Sequence, residues 1–319
     1  MKYLVTGGCG FIGSRYVQLL LTNYLGRVDS VKVLDKLTYA GDLENLAPIY
    51  NDSRLEFVHG DICDKELVKQ ITSGIDIIVH FAAESHVDRS IASPSDFIQT
   101  NVIGTHNLLS AAVEMNVKQF LHVSTDEVYG SLMEGSALES DPLLPNSPYA
   151  ASKAASDLLV RSYVQTYQLD ARITRCCNNY GPNQYPEKFI PYSISRLLSG
   201  EKIKIYGDGM NIREWIHVTD HCFGIQKVIS MGAKGNIYNI GSGLFYSNLE
   251  LARTILKISN YPDNHLLFVS DRRGHDFRYA IDSNKIQKEL GFATSITSRN
   301  NIINFISESL SNHNLIKKD

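Results

Sequence analysis

The sequence predicts an α/β protein, built from a Rossmann-type doubly wound parallel sheet and a smaller C-terminal α/β lobe. Through the first half of the chain, apolar runs that suit buried strands alternate with segments of helical periodicity. This alternation is typical of a parallel sheet covered by helices on both faces. A glycine-rich segment directly follows the first apolar run. In such sheets the first turn from strand to helix binds the phosphates of a dinucleotide.

The elements follow in order along the chain. Predicted strands lie at residues 3–6, 31–34, 55–58, 75–79 and 120–123, and long helices at 94–115 and 149–167, where apolar residues recur at helical intervals. After residues 171–174 the pattern changes to loops rich in Asn, Gly and Pro. We therefore place a dinucleotide-binding domain at residues 1–176 and a second lobe at 177–319. Residues 215–229 are typical of a strand turning into a helix, so we expect about 215–240 to rejoin the first domain.

Composition excludes several classes of protein. Of the 319 residues, 43% are hydrophobic and 20% charged, which is ordinary for a globular protein. The longest apolar run, 75–83, is too short to span a bilayer, and residues 1–6 lack the pattern of a signal peptide, so we expect a cytoplasmic protein without membrane contact. A net charge of −3 leaves no basic surplus for nucleic acid. The five cysteines contain no C-x-x-C pair, and no metal site is predicted.

The glycine-rich segment has the features of a dinucleotide site. Gly7, Gly10 and Gly13 permit a tight turn, close approach of a pyrophosphate and close packing of helix on strand. Asp35, at the end of the second predicted strand, suits the ribose hydroxyls and would repel a 2′-phosphate, so NAD is favoured over NADP, although Lys36 beside it weakens this preference. Asp61, after the third strand, either flanks the adenine or caps a helix.

Two further segments carry acid and base groups. Tyr149 and Lys153 are four residues apart in a predicted helix and so share one face, where the lysine charge can stabilise a phenolate and its amine can reach a ribose hydroxyl. Asp126 and Glu127 follow the fifth predicted strand, at the edge of the sheet where active sites lie. Two adjacent carboxyl groups that interact lose their protons at different pH values, so one can act as an acid while the other acts as a base. A tyrosine base together with such a pair indicates more than one linked proton transfer.

The chain resembles the extended, nucleotide-sugar branch of the short-chain dehydrogenase/reductases, and within it the dTDP-glucose 4,6-dehydratases. The matching motifs lie at residues 6–13, 82–90, 124–130, 147–153, 178–182, 186–188 and 271–275. The resemblance implies a lyase that converts dTDP-glucose to dTDP-4-keto-6-deoxyglucose with a bound NAD that is regenerated in each turnover. It also implies a homodimer formed through helices 94–115 and 149–167.

The resemblance assigns roles to individual residues. Tyr149 would take the proton of the sugar 4-hydroxyl with Lys153 supporting it, Glu127 would abstract the C5 proton, and Asp126 would protonate the departing C6 hydroxyl. Thr125 would position the 4-hydroxyl. The implied NAD contacts are Gly7, Gly10, Phe11, Ile12, Gly13, Asp35, Lys36, Leu37, Thr38, Asp61, Ile62, Ala82, Ala83, Ser85, Thr100, Tyr149, Lys153 and Asn179. The implied sugar-nucleotide contacts are Ser85, Thr125, Asn178, Glu187, Lys188, Phe189, Lys204, Ile205, Tyr206, Arg213, Asn248, Asp271, Arg272 and His275.

Other functions remain open at this point. A 4,6-dehydratase for UDP-glucose would share every proton-transfer group, and a 4-epimerase or decarboxylase of the same branch would share Tyr149, Lys153 and the glycines. Asp126 distinguishes a dehydratase from an epimerase or a decarboxylase. Epimerisation needs no acid and base at C5 and C6, and the decarboxylases usually lack this aspartate. A non-enzymatic NAD-binding scaffold is disfavoured, because such chains usually lose one of these groups.

Overall fold

The computed structural model describes residues 1–311. Its strands are β1 Lys2–Thr6, β2 Ser30–Asp35, β3 Leu55–His59, β4 Ile77–His80, β5 Gln119–Thr125, β6 Ala171–Cys176, β7 Asn178–Tyr180, β8 Ile203–Tyr206, β9 Ile212–His217, β10 Ile237–Ile240, β11 Phe245–Ser247 and β12 Leu266–Val269. Its α-helices are α1 Phe11–Leu21, α2 Lys65–Thr72, α3 Val87–Ala92, α4 Pro94–Phe97, α5 Thr105–Glu114, α6 Pro148–Tyr167, α7 Phe189–Leu198, α8 Val218–Met231, α9 Asn248–Ile258, α10 Asn284–Leu290 and α11 Arg299–Ser311.

A seven-stranded sheet forms the centre of the molecule. Its strand order is β10-β6-β5-β4-β1-β2-β3, and every neighbouring pair is parallel. The order reverses between β1 and β4, so the loops after these two strands diverge and leave a crevice between them. Its inner strands are apolar on both faces because separate hydrophobic clusters cover the two sides. The predicted Rossmann-type fold is confirmed.

The C-terminal part adds two small sheets. One has the order β11-β9-β7, and the other pairs β12 with β8. A third hydrophobic cluster joins them to α7, α9 and α11, with Trp215, Ile255 and Ile302 among its members. This separate core supports our proposal of a second lobe, whose last predicted residues, 312–319, lie outside the described residues.

Two elements differ in detail from the sequence-based expectation. The predicted helix at 94–115 is helical throughout, but a π-helical segment, Ile98–Gly104, separates α4 from α5. Residues 215–229 divide between two layers: β9 belongs to a small sheet, whereas α8 packs on the large domain, where Arg15 Nε donates to Thr219 Oγ1 at 3.0 Å. Hydrophobic periodicity shows that a segment is buried, but it does not show which layer of the protein the segment packs against.

None of the helices within residues 1–311 combines the length and apolar composition that crossing a bilayer requires.

Candidate active site

A cleft of about 360 Å³ opens at the carboxyl ends of the central strands. Its walls come from the loops after β1, β2 and β3 on one side and from the ends of β5 and β6 on the other. Residues from α6 and from the β7–α7 connection complete it. The cleft therefore lies at the reversal of strand order, where open α/β sheets bind their ligands.

The glycine loop at one end of this cleft fits a dinucleotide. Gly7 has a φ of +70°, and a Cβ placed on it would lie 2.6 Å from the Ala82 backbone nitrogen, so a larger residue would clash. A Cβ on Gly13 would collide with the Gly7 carbonyl oxygen. No side chain caps the N-terminus of α1, which begins at Phe11 in the cleft wall. Backbone N–H groups at such a helix end favour a phosphate.

Asp35 is held in place at the end of β2 by its neighbours. Its carboxylate accepts the backbone N–H of Cys9 at 2.8 Å and that of Leu37 at 2.9 Å. Burial raises the pKa of Asp35, and these two bonds act in the opposite direction. Lys36 forms a 2.7 Å ion pair with Asp61. Because Asp61 balances the Lys36 charge, Asp35 is the carboxylate available to ribose hydroxyls at this point.

Tyr149 and Lys153 face the cleft from the first turns of α6. Ser147 caps this helix by accepting from Ala150 N at 3.1 Å. The Lys153 ammonium donates to the Val123 carbonyl at 2.8 Å, and burial lowers the pKa of Lys153 to about 8. Burial also raises the pKa of Tyr149 well above its usual range; the Glu127 carboxylate adds to this, and a hydrogen bond from Thr125 opposes it. In the protein alone, Tyr149 is a neutral phenol.

Asp126 and Glu127 begin a short 3₁₀ turn directly after β5. Thr125 caps this turn, because its Oγ1 accepts from Glu127 N at 3.2 Å. The same hydroxyl lies 3.3 Å from Asp126 Oδ1. Asp126 is buried, and Oδ2 has no hydrogen-bond partner within residues 1–311. A buried carboxyl group in this position is suited to carry a proton.

The surrounding charges affect the pKa values of Asp126 and Glu127 differently. Burial raises the pKa of Asp126 well above its usual range, and the carboxylates of Glu127 and Glu214 raise it further. Burial also raises the pKa of Glu127, but the positive charges of Arg213 and Lys188 oppose this. The pKa values of both groups are raised, and the cations near Glu127 favour its ionised form.

Comparison with known proteins identifies the family. Residues 4–304 match the family model described as GDP-mannose 4,6 dehydratase. A dTDP-glucose 4,6-dehydratase of Actinoplanes sp. is 50% identical, with 92% of each chain covered. The chain belongs to the nucleotide-sugar 4,6-dehydratase family. The low-salt glycan biosynthesis protein Agl12 of Haloferax volcanii is 52% identical, with 92% of this chain and 93% of that protein covered. DesIV, a dTDP-glucose 4,6-dehydratase from Streptomyces venezuelae solved with NAD and TYD bound, matches with a TM-score of 0.97 and 52% identity over 99% of both chains.

The structure brings most of the residues predicted for this dehydratase family into one cleft. The lining includes Gly7, Gly10, Phe11, Ile12, Gly13, Asp35, Lys36, Thr38, Asp61, Ile62, Ala82, Ala83, Ser85, Thr100, Thr125, Asp126, Glu127, Tyr149, Lys153, Asn178, Asn179, Glu187, Lys188 and Phe189. The predicted residues outside this lining are Leu37, Lys204, Ile205, Tyr206, Arg213, Asn248, Asp271, Arg272 and His275. Their roles in this family member stay predictions.

The residues outside the lining have different surroundings. Ile205 lies in the hydrophobic core of the second lobe because it alternates with the exposed Lys204 and Tyr206 along β8. Arg272 forms a 2.7 Å ion pair with Asp88, and His275 contacts Asp271 at 2.7 Å. Asp271, Arg272 and His275 occupy the loop after β12, Asp88 lies on α3, and none of the four lines the cleft.

Two residues near the predicted base, Glu127, were not anticipated for this dehydratase family member: Tyr279 and Asp276. The Tyr279 hydroxyl lies 3.5 Å from Glu127 Oε2 and donates to Asp276 Oδ2 at 2.5 Å. The Arg213 guanidinium stacks 4.2 Å from the centre of the Tyr279 ring. No local sequence pattern marks Tyr279 or Asp276, because only the fold brings the loop after β12 to the end of β5.

Within residues 1–311 no group of three or more His, Cys, Asp and Glu side chains could hold a metal ion.

Proposed function

We propose that this protein is an NAD-dependent hydro-lyase that converts dTDP-glucose to dTDP-4-keto-6-deoxyglucose. The observation that carries the proposal is the position of Asp126 and Glu127 in the same cleft as Tyr149 and the glycine loop. A redox tyrosine alone serves a dehydrogenase or an epimerase, whereas an acid and a base beside it serve elimination of water. The 50% identity to the Actinoplanes dehydratase supports the same conclusion.

The first step oxidises C4 of the sugar by removing the proton of its 4-hydroxyl and the hydride on C4. Tyr149, a neutral phenol in the protein alone, must first lose its own proton; as the phenolate, its Oη then takes the proton of the 4-hydroxyl. Lys153, protonated at neutral pH because its pKa is about 8, supplies a positive charge in the same cleft. When bound, NAD supplies the hydride acceptor at C4 and the hydride donor at C6, and it ends the reaction unchanged. Thr125, which hydrogen-bonds Tyr149, positions the 4-hydroxyl.

The second step eliminates water across C5 and C6. A ketone at C4 acidifies the hydrogen at C5, which the Glu127 carboxylate removes. Asp126 gives its proton to the departing C6 hydroxyl, so the leaving group is water; when C6 receives the hydride, Glu127 returns its proton to C5. The raised pKa of Asp126, caused first by burial and then by Glu127, keeps this proton in place until it is needed.

The nucleotide carrier would lie toward the second lobe. Lys188, whose amine donates to the Ser85 carbonyl at 3.0 Å, lines the cleft between the sugar site and this lobe. Arg213 and Arg272 provide further positive charge near Glu127. Guanidinium groups bind diphosphates in a bidentate manner, which supports a nucleoside diphosphate here.

A substrate panel tests the function. The purified protein is incubated with dTDP-, UDP-, CDP- and GDP-glucose, and alkali is added to reveal the ultraviolet absorbance of a 4-keto-6-deoxy sugar. We expect the strongest signal with dTDP-glucose. No signal with any of the four would overturn the dehydratase proposal, whereas a stronger signal with UDP-glucose would change only the carrier.

We also propose a homodimer and a cytoplasmic location. Ile98, Ile103, Leu158 and Tyr167 expose apolar surface on the helical segments at 94–114 and 148–167, which suits pairing with a second copy. Cys63, Cys176, Cys177 and Cys222 are free thiols, as is usual in a reducing compartment. Light scattering of wild type and Leu158→Glu tests the dimer, because only the variant should have the mass of one chain. Cell fractionation tests the location.

A further inference from the structure

A buried charge cluster lies directly behind Lys153. It consists of His122 on β5, Asp157 on α6 and Arg175 on β6, whose exposed fractions are 0%, 2% and 3%. Lys153 itself is 4% exposed. Lys153 lines the active-site cleft, whereas Asp157 and Arg175 line a second cavity between α6 and the edge of the sheet. The cluster therefore contacts Lys153 from the side that substrate cannot reach.

Asp157 is held rigidly within this cluster. Arg175 Nε donates to Asp157 Oδ2 at 2.9 Å. Arg175 Nη1 donates to the Tyr129 hydroxyl at 2.9 Å, and that hydroxyl donates to Asn239 Oδ1 at 2.8 Å. A charge pair braced by two further polar groups keeps a fixed geometry.

The other oxygen of Asp157 faces His122, which in turn lies beside Lys153. Asp157 Oδ1 lies 3.5 Å from His122 Nε2, and His122 Nε2 lies 3.5 Å from Lys153 Nζ. Among the described residues, Asp157 Oδ1 has no hydrogen-bond partner. Asp157 also follows Lys153 by four residues on α6, so both side chains leave the same face of the helix.

The charges around Lys153 single out Asp157. The groups around Lys153 are His80 from β4, His122 from β5, Cys176 from β6 and Asp157 from α6, and Tyr149 lies one turn before Lys153 on α6. Burial, followed by the Lys153 charge, holds the pKa of both histidines well below the usual range, so both rings are neutral. Asp157 is the carboxylate in this set, and after burial it has the largest effect on the pKa of Lys153, which it raises.

We propose that Asp157 is a positioning residue: held by Arg175, its carboxylate supplies the buried negative charge that keeps the Lys153 ammonium protonated beside Tyr149. The inference rests on the proposed function, in which a protonated Lys153 supports Tyr149. Without Asp157, the groups left around the buried side of Lys153 within residues 1–311 would be the Val123 carbonyl, the Cys176 thiol and neutral imidazole rings. An ammonium in such surroundings gives up its proton more readily.

The first experiment follows the titration of Lys153 in the protein alone. Lysine Cε resonances are recorded by NMR across pH in protein labelled at lysine, and the Lys153→Met variant assigns the signal. In Asp157→Asn we expect the midpoint to fall by about one pH unit or more. Asp170→Asn is the matched control, because Asp170 pairs with Arg172 of β6 at 2.9 Å in the same type of ion pair. The control should leave the midpoint unchanged.

A second variant guards against loss of folding. Asp157→Asn leaves Arg175 buried without its partner, which destabilises proteins strongly, whereas removal of both charges is often tolerated. The double variant Asp157→Asn/Arg175→Met removes both charges; its midpoint should also fall, but by less than in Asp157→Asn, because the repulsion from Arg175 is lost as well. If the midpoint stays at its wild-type value in both variants, Asp157 has only a structural role and the proposal is overturned.

The second experiment uses the holoenzyme with dTDP-glucose. The rate of the first oxidation is measured against pH in wild type, in the double variant and in Asp170→Asn. We expect the alkaline limb of the pH–rate profile to move to lower pH in the double variant and to stay in place in Asp170→Asn. A uniform loss of rate with an unmoved limb would contradict the proposal. Inactive wild type would overturn the proposed function instead, and the NMR titration would still decide the role of Asp157.

Discussion

Asp126 and Glu127 are adjacent in the chain, yet their carboxyl groups face different charges. Beyond burial, the largest influences on Asp126 are the carboxylates of Glu127 and Glu214, which raise its pKa further. Beyond burial, the largest influences on Glu127 are Arg213 and Lys188, which lower its pKa. Both residues belong to the 3₁₀ turn that directly follows β5. This difference in the surrounding charges supports the proposal that Asp126 acts as the acid and Glu127 as the base.

Replacing Asp126 should separate oxidation from elimination. Asp126→Asn keeps the size of the side chain but has no proton to give, so elimination should slow by about 10²- to 10⁴-fold. Oxidation at C4 should continue, and reduced cofactor should accumulate on the enzyme. Absorbance of the reduced nicotinamide after rapid mixing with dTDP-glucose measures this. Glu134→Gln, an equivalent change at an exposed loop residue, should behave as wild type. Fast product release without reduced cofactor would exclude Asp126 as the acid.

Replacing Tyr149 should stop the reaction one step earlier. Tyr149→Phe removes the hydroxyl that takes the 4-hydroxyl proton, so the first oxidation should fall by about 10²- to 10⁴-fold. Unlike Asp126→Asn, this variant should accumulate no reduced cofactor in the same rapid-mixing measurement. Tyr167→Phe, at the exposed end of the same helix, is the matched control. Turnover of Tyr149→Phe at the wild-type rate would refute the assigned role.

Asp35 should determine the choice between NAD and NADP. Asp35→Asn retains a hydrogen-bond acceptor for one of the two N–H groups of Cys9 and Leu37, but removes the charge that repels a 2′-phosphate. We expect the preference for NAD over NADP to shrink by at least about tenfold, equivalent to about 1.4 kcal/mol. The single tryptophan, Trp215, lines the cleft, so its fluorescence reports binding. An unchanged ratio of dissociation constants would show that another group makes the distinction.

The sequence predicts which residues meet in the cleft best where these residues lie on one strand and in the turn after it. Gly7, Gly13 and Asp35 lie in such turns, and Tyr149 and Lys153 lie one helical turn apart, so spacing alone brings them to the cleft. The fold class followed from the same local patterns and is confirmed.

Contacts between distant segments could not be predicted in this way. Tyr279 approaches Glu127 and Asp157 binds Arg175 only because separate elements meet in the folded chain. Tyr279 and Arg175 stand in segments whose periodicity is indistinguishable from ordinary core packing. Backbone geometry is equally hidden: Leu37 adopts a φ of +51° and lies outside the cleft lining although both of its neighbours line it.

Asp220 should make stability depend on acid pH. Its buried carboxylate accepts bonds from Ser295, Ile296 and Thr297, including one from Thr297 N at 2.6 Å. Burial raises its pKa, but these bonds, led by that of the Thr297 hydroxyl, lower it more, so the folded pKa lies below its usual value. The stabilisation is therefore present above the unfolded pKa of about 3.9 and is lost as pH falls through the folded value.

The Asp220→Asn variant tests this dependence by urea denaturation. At neutral pH we expect the variant to lose about 2–3 kcal/mol of unfolding free energy, because charged hydrogen bonds to the backbone are replaced by fewer neutral ones. The difference from wild type should shrink as pH falls below about 4. Asp208→Asn, at an exposed turn, is the control. A difference that stays constant with pH would mean that packing, and not charge, gives Asp220 its effect.

Asp88 should compete with the substrate for Arg272. Arg272 Nε lies 2.7 Å from Asp88 Oδ1, and Arg272 Nη2 donates to Asp88 Oδ2 at 3.1 Å. The Tyr206 hydroxyl also donates to this carboxylate at 3.4 Å, while the guanidinium lies 5.0 Å from the centre of the Tyr206 ring. A guanidinium engaged in this way must exchange or share its partner when a diphosphate binds.

Steady-state kinetics of Asp88→Asn decide whether this competition occurs. Because the pair is partly exposed, its removal should lower KM for dTDP-glucose by up to about fivefold, with little change in kcat. Arg272→Gln should raise KM, and in that background Asp88→Asn should have no further effect, since the two residues would act through one contact. If Asp88→Asn instead raises KM in the wild-type background, Asp88 holds Arg272 in the orientation that binds the diphosphate and does not compete with it.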